Sequence, residues 1–103
     1  MRILRFIVNR QILSPDEACD FTGLIPGTKG YLIAKFDFSP EWAGCKKAAS
    51  FWRYGDEYAV PIIGSECVIP EEVLDSRSIQ VSVTGGRDGY RIVTNKCRLK
   101  QEG

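Results

Sequence analysis

The chain has 103 residues, 44% of them hydrophobic and 26% charged, with a formal net charge of +1. That describes one ordinary globular domain with a thin core, and it excludes a disordered or fibrous chain and a global field that would collect nucleic acid or anionic membrane. There is no histidine, which removes the commonest general base, the usual catalytic triads and most zinc sites.

Residues 3–8, rich in β-branched and aromatic side chains, predict a first strand. Residues 9–11 predict a turn, after which Ile12-Leu13 pair briefly. Ser14-Pro15-Asp16-Glu17 has two readings: a capped short helix, with Ser14 at the N-cap and Pro15 at the first helical position, or a loop leading into a strand. Residues 29–38 are the clearest strand, with Leu32, Ala34, Phe36 and Phe38 alternating on one face. Ser39-Pro40-Glu41 turns the chain, and Trp42 is expected to plug the core.

Residues 47–54 and 57–63 predict two strands joined at the Gly55-Asp56 hairpin signal. Pro61 inside the second marks it as an edge strand or a bulge. Gly64-Ser65 turns the chain into a short strand at 66–69, and Pro70-Glu71-Glu72 opens a single helical turn. Ile79, Val81 and Val83 alternate inward along 77–84. Gly85-Gly86-Arg87-Asp88-Gly89 reads as a hairpin loop whose glycines supply positive φ, and residues 90–99 return as one long strand.

The fold class is therefore all-β: an antiparallel β-sandwich of about seven short strands, immunoglobulin-like or a small barrel, with one or two single-turn helices and a single domain over 1–103. Its short connections favour antiparallel neighbours. The longest apolar stretches are strand-length, so no membrane-spanning helix is predicted, and the charged residues 1–10 do not form a signal peptide.

Little here carries chemistry. The four cysteines, Cys19, Cys45, Cys67 and Cys97, are far apart in sequence and read as reduced, largely buried thiols. The acidic pairs Asp16-Glu17, Asp56-Glu57 and Glu71-Glu72 are solvated turns and helix starts, since adjacent acids diverge on either backbone. The glycine-rich run 85–89 lacks the helix that a phosphate cradle needs. No catalytic residue, cofactor or metal site is predicted, and the chain reads as non-enzymatic. Phe51-Trp52-Arg53-Tyr54 after Lys46 and Lys47 mixes aromatic and basic residues. Such a surface can stack on single-stranded bases or anchor a protein, and the near-neutral net charge disfavours nucleic acid. The candidate partner-binding residues are Trp52, Tyr54, Arg87 and Tyr90.

Three runs, 31–38, then Glu41-Trp42-Ala43-Gly44, then 47–51, are followed by 67–74, 79–85 and 90–95. In this order they resemble a small β-sandwich domain of phages and prophages of Gram-positive bacteria, similar to the N-terminal domain of the siphophage baseplate upper protein. The resemblance covers about two-thirds of the chain and implies a virion interaction module, in a tail baseplate or as another accessory, that docks onto a protein. The implied location is the virion or the host bacterial cytoplasm, without a membrane, and a homo-oligomer stays open. In that family coiled-coil or fibre segments follow the domain, whereas this sequence ends at Gly103. That leaves either a domain cut from a longer chain or a stand-alone version, and for the latter the alternative of a phage-encoded inhibitor of a host defence enzyme.

Overall fold

A computed structural model of the chain describes residues 1–19, 29–73 and 78–100. Among them are nine strands: β1 (Arg2–Asn9), β2 (Ile12–Pro15), β3 (Leu32–Phe38), β4 (Lys46–Arg53), β5 (Asp56–Ile62), β6 (Glu66–Val68), β7 (Ser78–Arg87), β8 (Tyr90–Val93) and β9 (Cys97–Lys100). Two 3-10 turns, Pro40–Trp42 and Glu71–Val73, complete the set. Sheet A has the order β2-β1-β3-β6, and sheet B the order β5-β4-β7-β8, with β9 also on β7. The two sheets enclose one core and make the all-β sandwich expected from the alternation.

Each strand buries the face that its pattern marks. Leu4, Phe6 and Val8 of β1 and Leu13 of β2 oppose Phe51 of β4 and Ile79, Val81 and Val83 of β7, and every one is essentially inaccessible to solvent. Rings run in a line through this layer: Phe6 stacks on Phe36 at 5.4 Å, Phe36 on Phe38 at 5.8 Å, and Phe38 meets Trp42 at 5.3 Å. Trp42 is fully buried, and its indole N–H donates to the Arg10 carbonyl at 2.7 Å, so its single polar atom is satisfied inside.

Four points differ from the sequence reading. First, β1 and β3 are parallel, with Arg2 opposite Leu32 and Val8 opposite Phe38; residues 16–31 are long enough for the crossover that this needs. Second, the brief pairing expected of Ile12-Leu13 extends through Pro15 as an antiparallel strand on β1, so Ser14 and Pro15 belong to a ladder and do not cap a helix. Third, residues 90–99 are two strands. Both lie on β7, but between Thr84↔Val93 and Val81↔Cys97 two residues of β7 face three of the other chain, which is a bulge. Thr94 occupies it: its N–H donates to the Val83 carbonyl and its hydroxyl accepts the Val83 N–H at 2.9 Å. Fourth, Gly85 and Gly86 lie inside β7, and the turn proper is Asp88-Gly89, where only Gly89 takes a positive φ, 65°.

The sandwich is bridged along both sides. On one side β5 passes into β6 through a two-residue turn, Gly64-Ser65, with both residues at positive φ. On the other, the Asn95 carboxamide stands in for a neighbouring strand: its oxygen accepts the Leu13 N–H at 2.7 Å and its nitrogen donates to the Leu13 carbonyl at 3.3 Å. Pro61 sits in β5, the edge of sheet B, where a missing N–H breaks no ladder.

Candidate functional site

The four candidate residues fall into two pairs at opposite ends of sheet B. Trp52 and Tyr54 lie at the β4–β5 end. Arg87 and Tyr90 flank the β7–β8 turn, roughly 20 Å away along the strands.

Arg87 and Tyr90 form a brace. The Arg87 guanidinium carbon lies 4.6 Å from the centre of the Tyr90 ring. Arg87 Nη1 donates to the Ala43 carbonyl and the Tyr90 hydroxyl to the Glu41 carbonyl, both at 3.1 Å. The pair thus ties the hairpin to the turn that carries Trp42. Arg87 remains exposed beyond these contacts. The same turn is held from below: the Ser39 hydroxyl accepts the Arg10 N–H at 2.8 Å, and Arg10 itself sits at φ 57°. The Glu41 carboxyl is held below its usual value, first by a backbone hydrogen bond, then by the Ser39 hydroxyl, with a smaller pull from Arg10.

Trp52 belongs to the outer face of sheet B. Its indole N–H donates to the Ser82 hydroxyl at 3.1 Å, and the Lys96 ammonium lies 3.9 Å from its ring centre. Ser50 and Ser82 are buried beside it, and the Ser50 hydroxyl donates to Glu57. Tyr54 is different. It is 84% exposed and sits at φ 51° in a two-residue turn with Gly55 at φ 85°; the turn is thus Tyr54-Gly55 and not the expected Gly55-Asp56, because Asp56 pairs with Arg53 in the ladder. Type I′ hairpins of this kind ordinarily place Asn or Asp at that position, and a bulky aromatic there carries backbone strain.

Cross-strand register assembles a further row that alternation alone does not reveal. Lys46 of β4 and Arg91 of β8 both pair with Gly86 of β7. Two exposed cations therefore flank a position with no side chain. The next row is Ala48, Thr84 and Val93, and a shallow trough of about 510 Å³ runs over Lys46, Ala48, Thr84, Gly86 and Arg91, reaching Arg87 and Tyr90. Lys46 had been visible in the sequence as part of a basic stretch; Arg91 and Gly86 joined it only through pairing.

The thiols are chemically quiet. Burial first, and then the neighbouring Glu66 carboxylate, push the Cys67 thiol up to about 12, and burial raises Cys97; both stay protonated near neutrality. Cys45, Cys67 and Cys97 are buried outside any disulfide. Cys19 accepts the Arg5 N–H and contacts the Ile3 carbonyl. Among the described residues no group of three His, Cys, Asp or Glu side chains is placed to hold a metal ion, and no helix is long and apolar enough to cross a membrane.

No family model, curated protein or solved structure matches the chain.

Proposed function

We propose that the chain is a non-enzymatic docking module of a phage, attaching to a protein partner in a tail baseplate or another virion assembly. The order of its sequence runs supports the phage reading. Tyr54 carries the docking reading: an aromatic ring that is 84% exposed and held at positive φ is an unfavourable choice for folding. Strain of this kind is kept at positions that work in recognition, and exposed Tyr is among the preferred anchors of protein interfaces.

The test is in the virion. The protein should be recovered from purified particles at a fixed stoichiometry to one structural partner. Tyr54→Ala should keep the fold and reduce that incorporation by about tenfold, the scale of an interface anchor. Absence from particles, with the protein found instead on a host enzyme, overturns the virion reading.

A further inference from the structure

We propose that the trough on the outer face of sheet B receives an acidic segment of the protein partner, with a carboxylate seated over Gly86 between Lys46 and Arg91. The proposal rests on the docking reading above and names the chemistry of the partner.

Charge is the first ground. The outward positions of β4, β8, β9 and the bulge between the last two carry Lys46, Arg91, Lys96 and Arg98, against two carboxylates: Glu57, engaged by Ser50, and Asp88 in the β7–β8 turn, which lines the adjoining cavity with Lys46 and Gly86. The outer face of sheet A mixes signs instead, with Arg5 and Lys35 beside Asp37 and Glu66. A chain of net charge +1 thus collects its surplus of cations on one side. A face dominated by one sign steers and orients a partner of the other.

Shape is the second ground. Lys46 and Arg91 stand on either side of β7, about 10 Å apart across two interstrand spacings. Gly86 between them leaves a gap the width of a side chain. A Cβ there would meet only the Tyr90 carbonyl oxygen, at 3.7 Å. The fold therefore has room for a Cβ at 86, yet the position is left bare. A carboxylate over Gly86 comes within reach of both long cationic side chains, and Ala48 and Thr84 provide a low floor for the residues beside it.

The occupant is a protein and not a single-stranded nucleic acid. Oligonucleotide surfaces pair cations with aromatic faces on which bases stack. Of the two rings here, Trp52 is covered by Lys96 while Ser82 holds its N–H, and Tyr90, at the end of the trough, carries Arg87 over its ring and is tied through its hydroxyl to the Glu41 carbonyl.

The full chain is titrated with a fluorescent peptide of alternating Glu and Ala and, separately, with oligo-dT of similar length. Peptide-induced amide shifts should cluster at Lys46, Thr84, Gly86 and Arg91. The double variant Lys46→Glu/Arg91→Glu should lose about tenfold in peptide affinity, as should Gly86→Val with its melting temperature retained. Lys35→Glu on sheet A should bind as the parent does. Shifts on another face, indifference to the charge reversal, or tighter binding of oligo-dT overturns the proposal. Carbodiimide cross-linking in particles, which joins carboxylates to lysine amines, separates it from the broader reading. A cross-link from Lys46 to an acidic stretch of the partner supports it. A partner joined only through Lys29 or Lys35 overturns this surface and leaves docking intact, and a chain that forms no protein complex overturns both.

Discussion

Trp42 fills the space that Gly85 leaves open on β7: a Cβ at position 85 would stand 2.8 Å from the indole Cε3 and Cζ3 atoms. The chain folds its 3-10 turn over that bare stretch of strand, and the contact is backbone against ring with no slack.

Gly85→Ala should therefore destabilise the domain by about 1–3 kcal/mol, the cost of overpacking a close-packed site. Trp42→Phe should relieve the clash while losing the hydrogen bond to Arg10. In urea denaturation the double variant should be less destabilised than the two single changes added together, since the residues share one volume. Simple additivity would mean that the strand moves aside.

Asn95 is predicted to hold the seam between the sheets. Asn95→Ala leaves the Leu13 N–H and carbonyl without the partners they have now. A loss of about 1–3 kcal/mol follows from unpaired, partly buried backbone groups. Hydrogen exchange at Leu13 should accelerate more than at Val81 in the core.

Tyr54→Asn should make the protein more stable, by about 1 kcal/mol, because Asn accepts the left-handed conformation that the turn imposes. The same change should weaken attachment to the partner. A calorimetric melt and a virion-incorporation assay measure the two effects, which are expected to have opposite signs.

Alkali should reveal Cys67. Burial, and then the Glu66 carboxylate, push its thiol up to about 12 in the fold from an ordinary value of 9.0. The folded state thus holds a proton that the unfolded chain gives up. The contribution of this thiol to stability is complete below pH 9 and is lost as pH rises from there toward 12, because the unfolded state binds fewer protons across that window. Thermal melts of Cys67→Ala should show a shallower decline over that range than the parent protein.

Much of the fold was legible in the residues because its signals are local. Alternation marks Leu32, Ala34 and Phe36 or Ile79, Val81 and Val83 without knowledge of any partner, and Pro61 announces an edge. What was not legible depends on pairing. Nothing within β1 or β3 states that they run the same way. Thr94 looks like any strand residue until Val83 is placed opposite it. The glycines at 85 and 86 suggested a loop, although Gly85 answers to Trp42, distant in sequence, and Gly86 to two cations on neighbouring strands. The candidate residues show the same limit: the pattern runs Tyr54 on as a strand residue before a Gly55-Asp56 turn, and only the pairing of Arg53 with Asp56 makes it a turn residue, just as the bracing contacts of Arg87 and Tyr90 needed the 41–43 segment in place.

The parallel pairing of β1 with β3 has a consequence for biosynthesis. As residues 2–15 leave the ribosome, β1 and β2 pair as a hairpin, a unit that is marginal in water by itself. The inner flank of β1 stays unzipped until residues 32–38 emerge, and sheet A lacks its last strand until residues 66–68 follow. Such distant closures slow folding, so a stalled nascent chain would present Leu4, Phe6 and Val8 to chaperones until its later strands arrive.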